Sequence, residues 1–208
     1  MGNRVSSNVA HAFCLAPLEP LPIVDARFCR PTPTSVVLPT LLFATHIDCV
    51  LRTVDGSPLL YWDGRRTALL DHPADPTVVA HMERKMHMHI NTHDVFLESR
   101  ILAKHRIMKI QVDFPELYKP KVTSRVETAD GDRILFHANG DWSGRNAIIT
   151  MSREPEEATV VVARIRSDSD KMFDEYIVDV VPGIDVAAVI LVCTAIDRIA
   201  SVLRGLIY

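Results

Sequence analysis

The stretch that most restricts how this chain can fold runs from Tyr176 to Ile199 and reads YIVDVVPGIDVAAVILVCTAIDRI. A strand-like run leads into a Pro-Gly turn, and the turn into a helical pattern with no polar face. No charge occurs between Val186 and Ile196. A helix on a protein surface shows an apolar stripe backed by a polar face, so one that is apolar all round has to be enclosed. Its eleven uncharged residues fall well short of the roughly 20 that cross a bilayer, which leaves protein as the enclosure. Asp185 stands at the N-cap position, where a carboxylate accepts orphan N–H groups and faces the positive end of the helix. Ala187, Ala188 and Ala195 keep the helix slim, as a narrow sleeve requires.

The rest of the chain supplies a sleeve of strands. From Ser35 onward, short β-rich runs alternate with turn signals. Strands are predicted at 35–42, 47–53, 58–62, 85–91, 95–98, 107–113, 121–127, 133–139, 147–151, 159–167 and 175–181, with 73–81 as a short helix or loop. Asp55-Gly56 and Asp130-Gly131 are hairpin signals, because glycine accepts the positive φ of primed turns; Asp63-Gly64 and Asn139-Gly140 mark further turns. Alternation of apolar and polar residues is clear over 133–137 and 85–90, and is broken by the run Val160, Val161, Val162. A sandwich has no place for an all-apolar helix, whereas a barrel has an interior and no edges. The predicted fold is therefore mainly β: a closed antiparallel barrel of about 11–12 strands enclosing the hydrophobic C-terminal helix. Residues 1–34, with Pro17, Pro20, Pro22, Pro31 and Pro33, read as an extended arm that folding can dispense with, and 35–208 as the barrel domain.

Composition narrows the class. A chain of 208 residues, 48% hydrophobic, can bury one core without staples. A formal charge of −3 argues against a nucleic-acid partner. Cys14, Cys29, Cys49 and Cys193 show no CxxC spacing, and Met1 to Ala16 lacks the continuous apolar core of a secretory signal. These features predict an intracellular, cytoplasmic setting with free thiols and no transmembrane span, Cys193 being an inert small hydrophobe.

VDGSPLLYWDG at 54–64 resembles the first hairpin of the LURP-one-related proteins, members of the tubby C-terminal-like superfamily. ETADGDRILFHANGDWSGRNAIITM at 127–151 and YIVDVVPGID at 176–185 are similar to the family's later strands and to the turn before its helix. The resemblance spans roughly residues 20–199 and implies a β-barrel around a central hydrophobic helix. It implies no reaction, since no catalytic constellation defines the family and a fold alone does not give a function.

Three patterns carry possible chemistry. In HMERKMHMHINTHD at 81–94, a continuous strand would put Glu83, Lys85, His87 and His89 on one face and Arg84, Met86, Met88 and Ile90 on the other. The H-x-H pair would then set two imidazoles about 7 Å apart, close enough to share a metal, with His93 or Glu98 completing the set. It is similar to the H-x-H of cupin metal enzymes but lacks the flanking glycines. The competing reading makes His87 and His89 part of a solvated face, and the expectation is no bound metal and no cofactor. Second, Met1-Gly2-Asn3-Arg4-Val5-Ser6 fits the myristoylation pattern, with Gly2 acylated and Cys14 a candidate for palmitoylation; the alternative is an unmodified arm. Third, Arg100, Lys104, His105, Arg106 and Lys109 form a basic cluster in an acidic chain. Such a cluster is a solvated face or, in a tubby-like barrel, a surface for anionic lipid headgroups. No G-x-S-x-G, G-x-G-x-x-G or P-loop pattern occurs, and Trp142-Ser143-Gly144 reads as a tight turn.

Two functions follow from this reading. One is a non-catalytic binding protein acting at membranes or on protein partners whose identity stays open. The other is a non-redox enzyme of specialised metabolism, a cyclase or isomerase, with a small apolar ligand in a barrel pocket and His87, His89 or His93 at its mouth.

Overall fold

The computed structural model describes residues 18–40, 48–72, 77–87, 90–97, 105–116, 119–127, 131, 133–154, 158–167 and 175–205. The described residues form twelve strands and one long helix. The strands are β1 (Thr34–Pro39), β2 (Cys49–Thr53), β3 (Pro58–Asp63), β4 (Ala68–Leu70), β5 (Val78–His87), β6 (Ile90–Leu97), β7 (His105–Glu116), β8 (Lys119–Glu127), β9 (Arg133–Asp141), β10 (Asn146–Glu154), β11 (Thr159–Ser167) and β12 (Glu175–Val180). Each pairs antiparallel with its neighbours in sequence, and β1 pairs with β12 to close the barrel. The predicted closed barrel is thus the fold the chain adopts.

The helix α1 (Val186–Gly205) lies inside. Every residue from Val186 to Asp197 is buried, and Val189, Ile190, Leu191, Val192 and Ile196 share one core with the inward faces of the strands. The hydroxyl of Thr194, in the buried part of the helix, is satisfied by donating to the Ile190 carbonyl at 2.8 Å. Asp185 performs the capping role its position predicts: Oδ1 accepts the N–H groups of Ala187 and Ala188 at 3.0 and 3.2 Å. The turn before it needs glycine. Gly183 has φ +86°, and a Cβ there would run into the Leu18 carbonyl.

Residues 18–33 differ from the detachable arm expected of them. Leu21, Ile23 and Phe28 are buried in the common core. Leu21 bridges to Ile184 and Cys29 to Asp185, and the second oxygen of Asp185 accepts the N–H groups of Ile23, Val24 and Asp25 at 2.7–3.1 Å. This segment is a strap across the start of the helix. Prolines made it look extended, which it is apart from a 3-10 turn at Ala26–Phe28; its long-range backbone hydrogen bonds go to the Asp185 carboxylate and to Pro182 and Gly183 of the turn before the helix.

Local boundaries also depart from expectation. The strand predicted at 85–91 is two strands: His87 closes β5 and pairs with Ile90, which opens β6. Val78–His81, read as helix or loop, begins β5, and the short β4 was not foreseen. Asn139-Gly140 is no turn but lies within β9, where a Cβ at Gly140 would sit 2.5 Å from the Asn146 carbonyl oxygen. The chain reverses one step later, at Trp142–Arg145, where the Asp141 carboxylate accepts from Ser143 Oγ and the Gly144 N–H.

Candidate functional site

The histidine run is divided between two strands rather than carried on the one continuous strand expected. His87 ends one strand, and Met88 and His89 lie outside the described residues, as does Glu98. His93 is on the other arm of the hairpin, directly opposite Arg84, and is completely buried. Burial, then the charges of Arg198 and Arg84, push its pKa down to about 3 against the pull of Asp94. Its ring is neutral at pH 7. Among the described residues no three of His, Cys, Asp and Glu stand where they could hold a metal ion together. Gly2, Cys14, Arg100 and Lys104 also lie outside the described residues.

A second polar group inside the barrel is fully paired. The helix carboxylate of Asp197 accepts from Tyr176 Oη at 2.6 Å, Trp142 Nε1 at 2.8 Å and Arg145 Nη1 at 3.0 Å. The Arg145 guanidinium lies 4.1 Å from the Tyr176 ring centroid and 5.6 Å from that of Trp142. Burial works against the Arg145 charge, but Asp197 and Tyr176 outweigh it and hold the group above its ordinary pKa. Burial and the Asp197 charge in turn push the Tyr176 hydroxyl well up. Each donor has its acceptor, which makes the cluster a clamp fixing the helix to the β9–β10 turn rather than a reactive centre. Cys193 beside it is buried and its thiol is pushed up by burial, so it behaves as the inert hydrophobe expected.

The outer face of β5–β8 gathers exposed cations from three strands. Arg106 and Lys109 of the predicted cluster are exposed on β7. The register adds cations from neighbouring strands: Lys109 stands directly opposite Arg125 on β8, and Asp113 opposite Lys121. Lys85 on β5 joins them through the carboxylate of Asp94, which lies 2.7 Å from Lys85 Nζ and 3.7 Å from Arg106 Nη1. Asp94 itself is 2% exposed, while Glu83 and Asp113 are less buried carboxylates on the same face. Like charges directly opposite across a sheet are unfavourable; Lys109 and Arg125 face each other, and Asp94 stands opposite Lys109 on its other side. Elsewhere on the outer wall the pattern is opposite: Arg164 and Arg166 both reach Asp179, and Arg52 reaches Glu175. Sequence reading found the β7 cations because they are adjacent in the chain. It missed Arg125 and Lys121, which only the pairing register brings alongside.

Twelve antiparallel strands closed around a buried, apolar C-terminal helix define a barrel of the tubby C-terminal-like class. A model of the LURP-one-related family matches residues 46–197, and the chain belongs to that family. The match begins just ahead of β2, so the strap and β1 lie before it. A search of the curated proteins and a search of the solved structures each found no match. Among the described residues no helix is long and apolar enough to cross a membrane.

Proposed function

We propose that the protein is a non-catalytic, tubby-like binding protein that docks on anionic membrane surfaces through the outer face of β5–β8. Membership of the LURP-one-related family supports the binding-protein class. The observation that carries this reading is the gathering of five exposed cations on one outer face, Lys109 opposite Arg125 with Lys85, Arg106 and Lys121 around them, over the buried carboxylate of Asp94. Each cation near an anionic bilayer contributes about 1 kcal/mol, so four or five together support reversible attachment that salt weakens. Acylation at Gly2 would add a second, independent anchor, since one myristoyl chain alone holds only marginally.

Flotation of the unacylated protein with vesicles tests the face by itself. Binding is expected to vesicles of phosphatidylcholine plus phosphatidylserine and not to phosphatidylcholine alone, and to fall as salt is raised. Lys109→Glu with Arg125→Glu should abolish it while leaving the melting temperature within a degree or two, because both sites are exposed. Equal binding to neutral vesicles, binding unchanged by the charge reversals, or no binding at all would each remove the proposal. In cells, Gly2→Ala is expected to reduce the membrane fraction of a protein whose basic face is intact.

A further inference from the structure

The strands that close the barrel are unequal in length, and a long step falls between β4 and β5. β4 holds only Ala68–Leu70, and it pairs with Val78, Ala80 and His81 of β5. One further backbone bond, from the Met82 N–H to the Thr67 carbonyl at 2.9 Å, ends that ladder. Thr67 Oγ1 donates back to the Met82 carbonyl at 2.6 Å. Thr67 stands in the left-handed region with φ +55°, where a β-branched residue is a rarity, and it brings the chain round from β3. β5 runs on to His87, paired with β6 throughout. From Glu83 to His87 it is therefore paired on one side only among the described residues.

In an antiparallel ladder, successive residues aim their N–H and C=O groups at opposite neighbours. Both backbone groups of Met82 engage Thr67, on the β4 side. The β5–β6 register continues without a shift, so Arg84 and Met86 aim theirs the same way, past the end of β4. A row of unpaired backbone groups is a template for another strand, and charge decides which strand fits. Side chains alternate across the sheet, which puts Lys85 on the outer face and Arg84 on the inner, opposite the buried His93. Lys85 is exposed, and Arg84 Nε has no hydrogen-bond partner among the described residues. Arg65 and Arg66, in the turn that precedes Thr67, are exposed as well. The carboxylates nearby are turned to other groups: Asp63 lies 3.4 Å from Arg66, Glu83 3.5 Å from His81 and Asp94 2.7 Å from Lys85. A second copy of the chain would set the four cations against themselves, and a lysine on an edge discourages such pairing. An acidic segment meets no such penalty.

We propose that the open stretch of β5, from Glu83 to His87, is a docking edge for an acidic, extended peptide of a partner protein. The peptide adds as a strand, exchanging hydrogen bonds with the N–H and C=O groups of Arg84 and Met86, and its carboxylates meet Arg65, Arg66, Arg84 and Lys85. Membrane attachment through the outer face is independent of this edge, since a bilayer offers no backbone to pair.

Fluorescence anisotropy of a labelled synthetic peptide alternating glutamate and valine, titrated with the full chain, tests the edge. Saturable binding is expected, and none to the same peptide with lysine in place of glutamate. Arg65→Glu with Arg66→Glu is expected to weaken it about tenfold or more. Methylating every second backbone nitrogen of the peptide removes the donors on one side of the added strand alone. Binding should therefore be lost in one phase of methylation and kept in the other. Hydrogen exchange at the Arg84 and Met86 amides reads the protein side: fast in the free chain, and slowed in the complex. Absence of binding, equal binding of the lysine peptide, an affinity unmoved by the charge reversals, or both phases of methylation behaving alike would each overturn the edge. So would Arg84 and Met86 amides already protected in the free chain, or protected by phosphatidylserine vesicles and not by the peptide. Methylation and exchange both use the unaltered chain, so they decide the matter even if the arginine variant does not fold.

Discussion

His93 couples folding to pH. Its side chain takes up a proton near 6.5 when free and near 3 in the fold, because burial and the charges of Arg198 and Arg84 oppose the imidazolium. Between those values the unfolded chain binds more protons than the native one, so stability falls as the pH falls. His93→Gln removes the titration. In urea unfolding at pH 7, 6 and 5, the wild type is expected to lose up to about 1.4 kcal/mol more per pH unit than the variant. Parallel losses in the two proteins would show that the ring is not the titrating group. Asp179 acts in the same direction but starts to do so only in stronger acid. Burial raises its pKa, but the hydrogen bonds from Arg166, Ser35 and Arg164 win and hold it below the usual carboxylate value. Its contribution is present above that usual value and is lost only in stronger acid, which keeps the two residues distinguishable.

At the scale of elements, α1 is the piece on which the barrel is assembled. Ile190 is 0% exposed at the helix's inner part, and Ile190→Asp would bury a carboxylate with nothing to pair it. The penalty rivals the roughly 5–15 kcal/mol that holds a domain of this kind together, so the variant is expected to be insoluble or unfolded. A soluble Ile190→Asp protein with the wild-type melting temperature would mean the helix is not internal. This helix was legible in the sequence because its signal is local: an absence of charge over consecutive residues, a Pro-Gly turn and an acidic cap. Most strands were legible for the same reason. The β5–β6 hairpin was not, since none of the glycine, proline, asparagine or aspartate that mark a tight turn stands between His87 and Ile90, and the apolar–polar alternation runs on across the reversal. The three residues of β4 are too few to show any period. The candidate sites were only half legible. Arg106 and Lys109 announced themselves, but Arg125 and Lys85 join them through strand register, and the burial of His93 depends on which face of a strand meets the core, a choice that the misplaced turn had obscured.

Considered as a whole, the molecule is closed by residues far apart in the chain. One carboxylate, Asp185, caps the helix with one oxygen and holds residues 23–25 with the other, across 162 positions in the longest of these bonds. A chain lacking residues 1–17 retains every described contact of the strap, whereas one lacking 1–33 loses Leu21, Ile23 and Phe28 from the core and three N–H groups from a buried carboxylate. The first is expected to melt like the full chain, and the second to lose several kcal/mol or fail to fold. Equal melting temperatures for both would show the strap to be an accessory. The strap also has a bearing on how the protein is made. Synthesis delivers residues 18–33 before any strand, and Asp185 only after all twelve, so a growing chain holds a row of paired strands with two open edges and no centre. The barrel cannot close around its core until the helix has left the ribosome. During that interval the β1 edge, later sealed by β12, is exposed to other chains, and a cell making this protein quickly would be expected to shield it with chaperones.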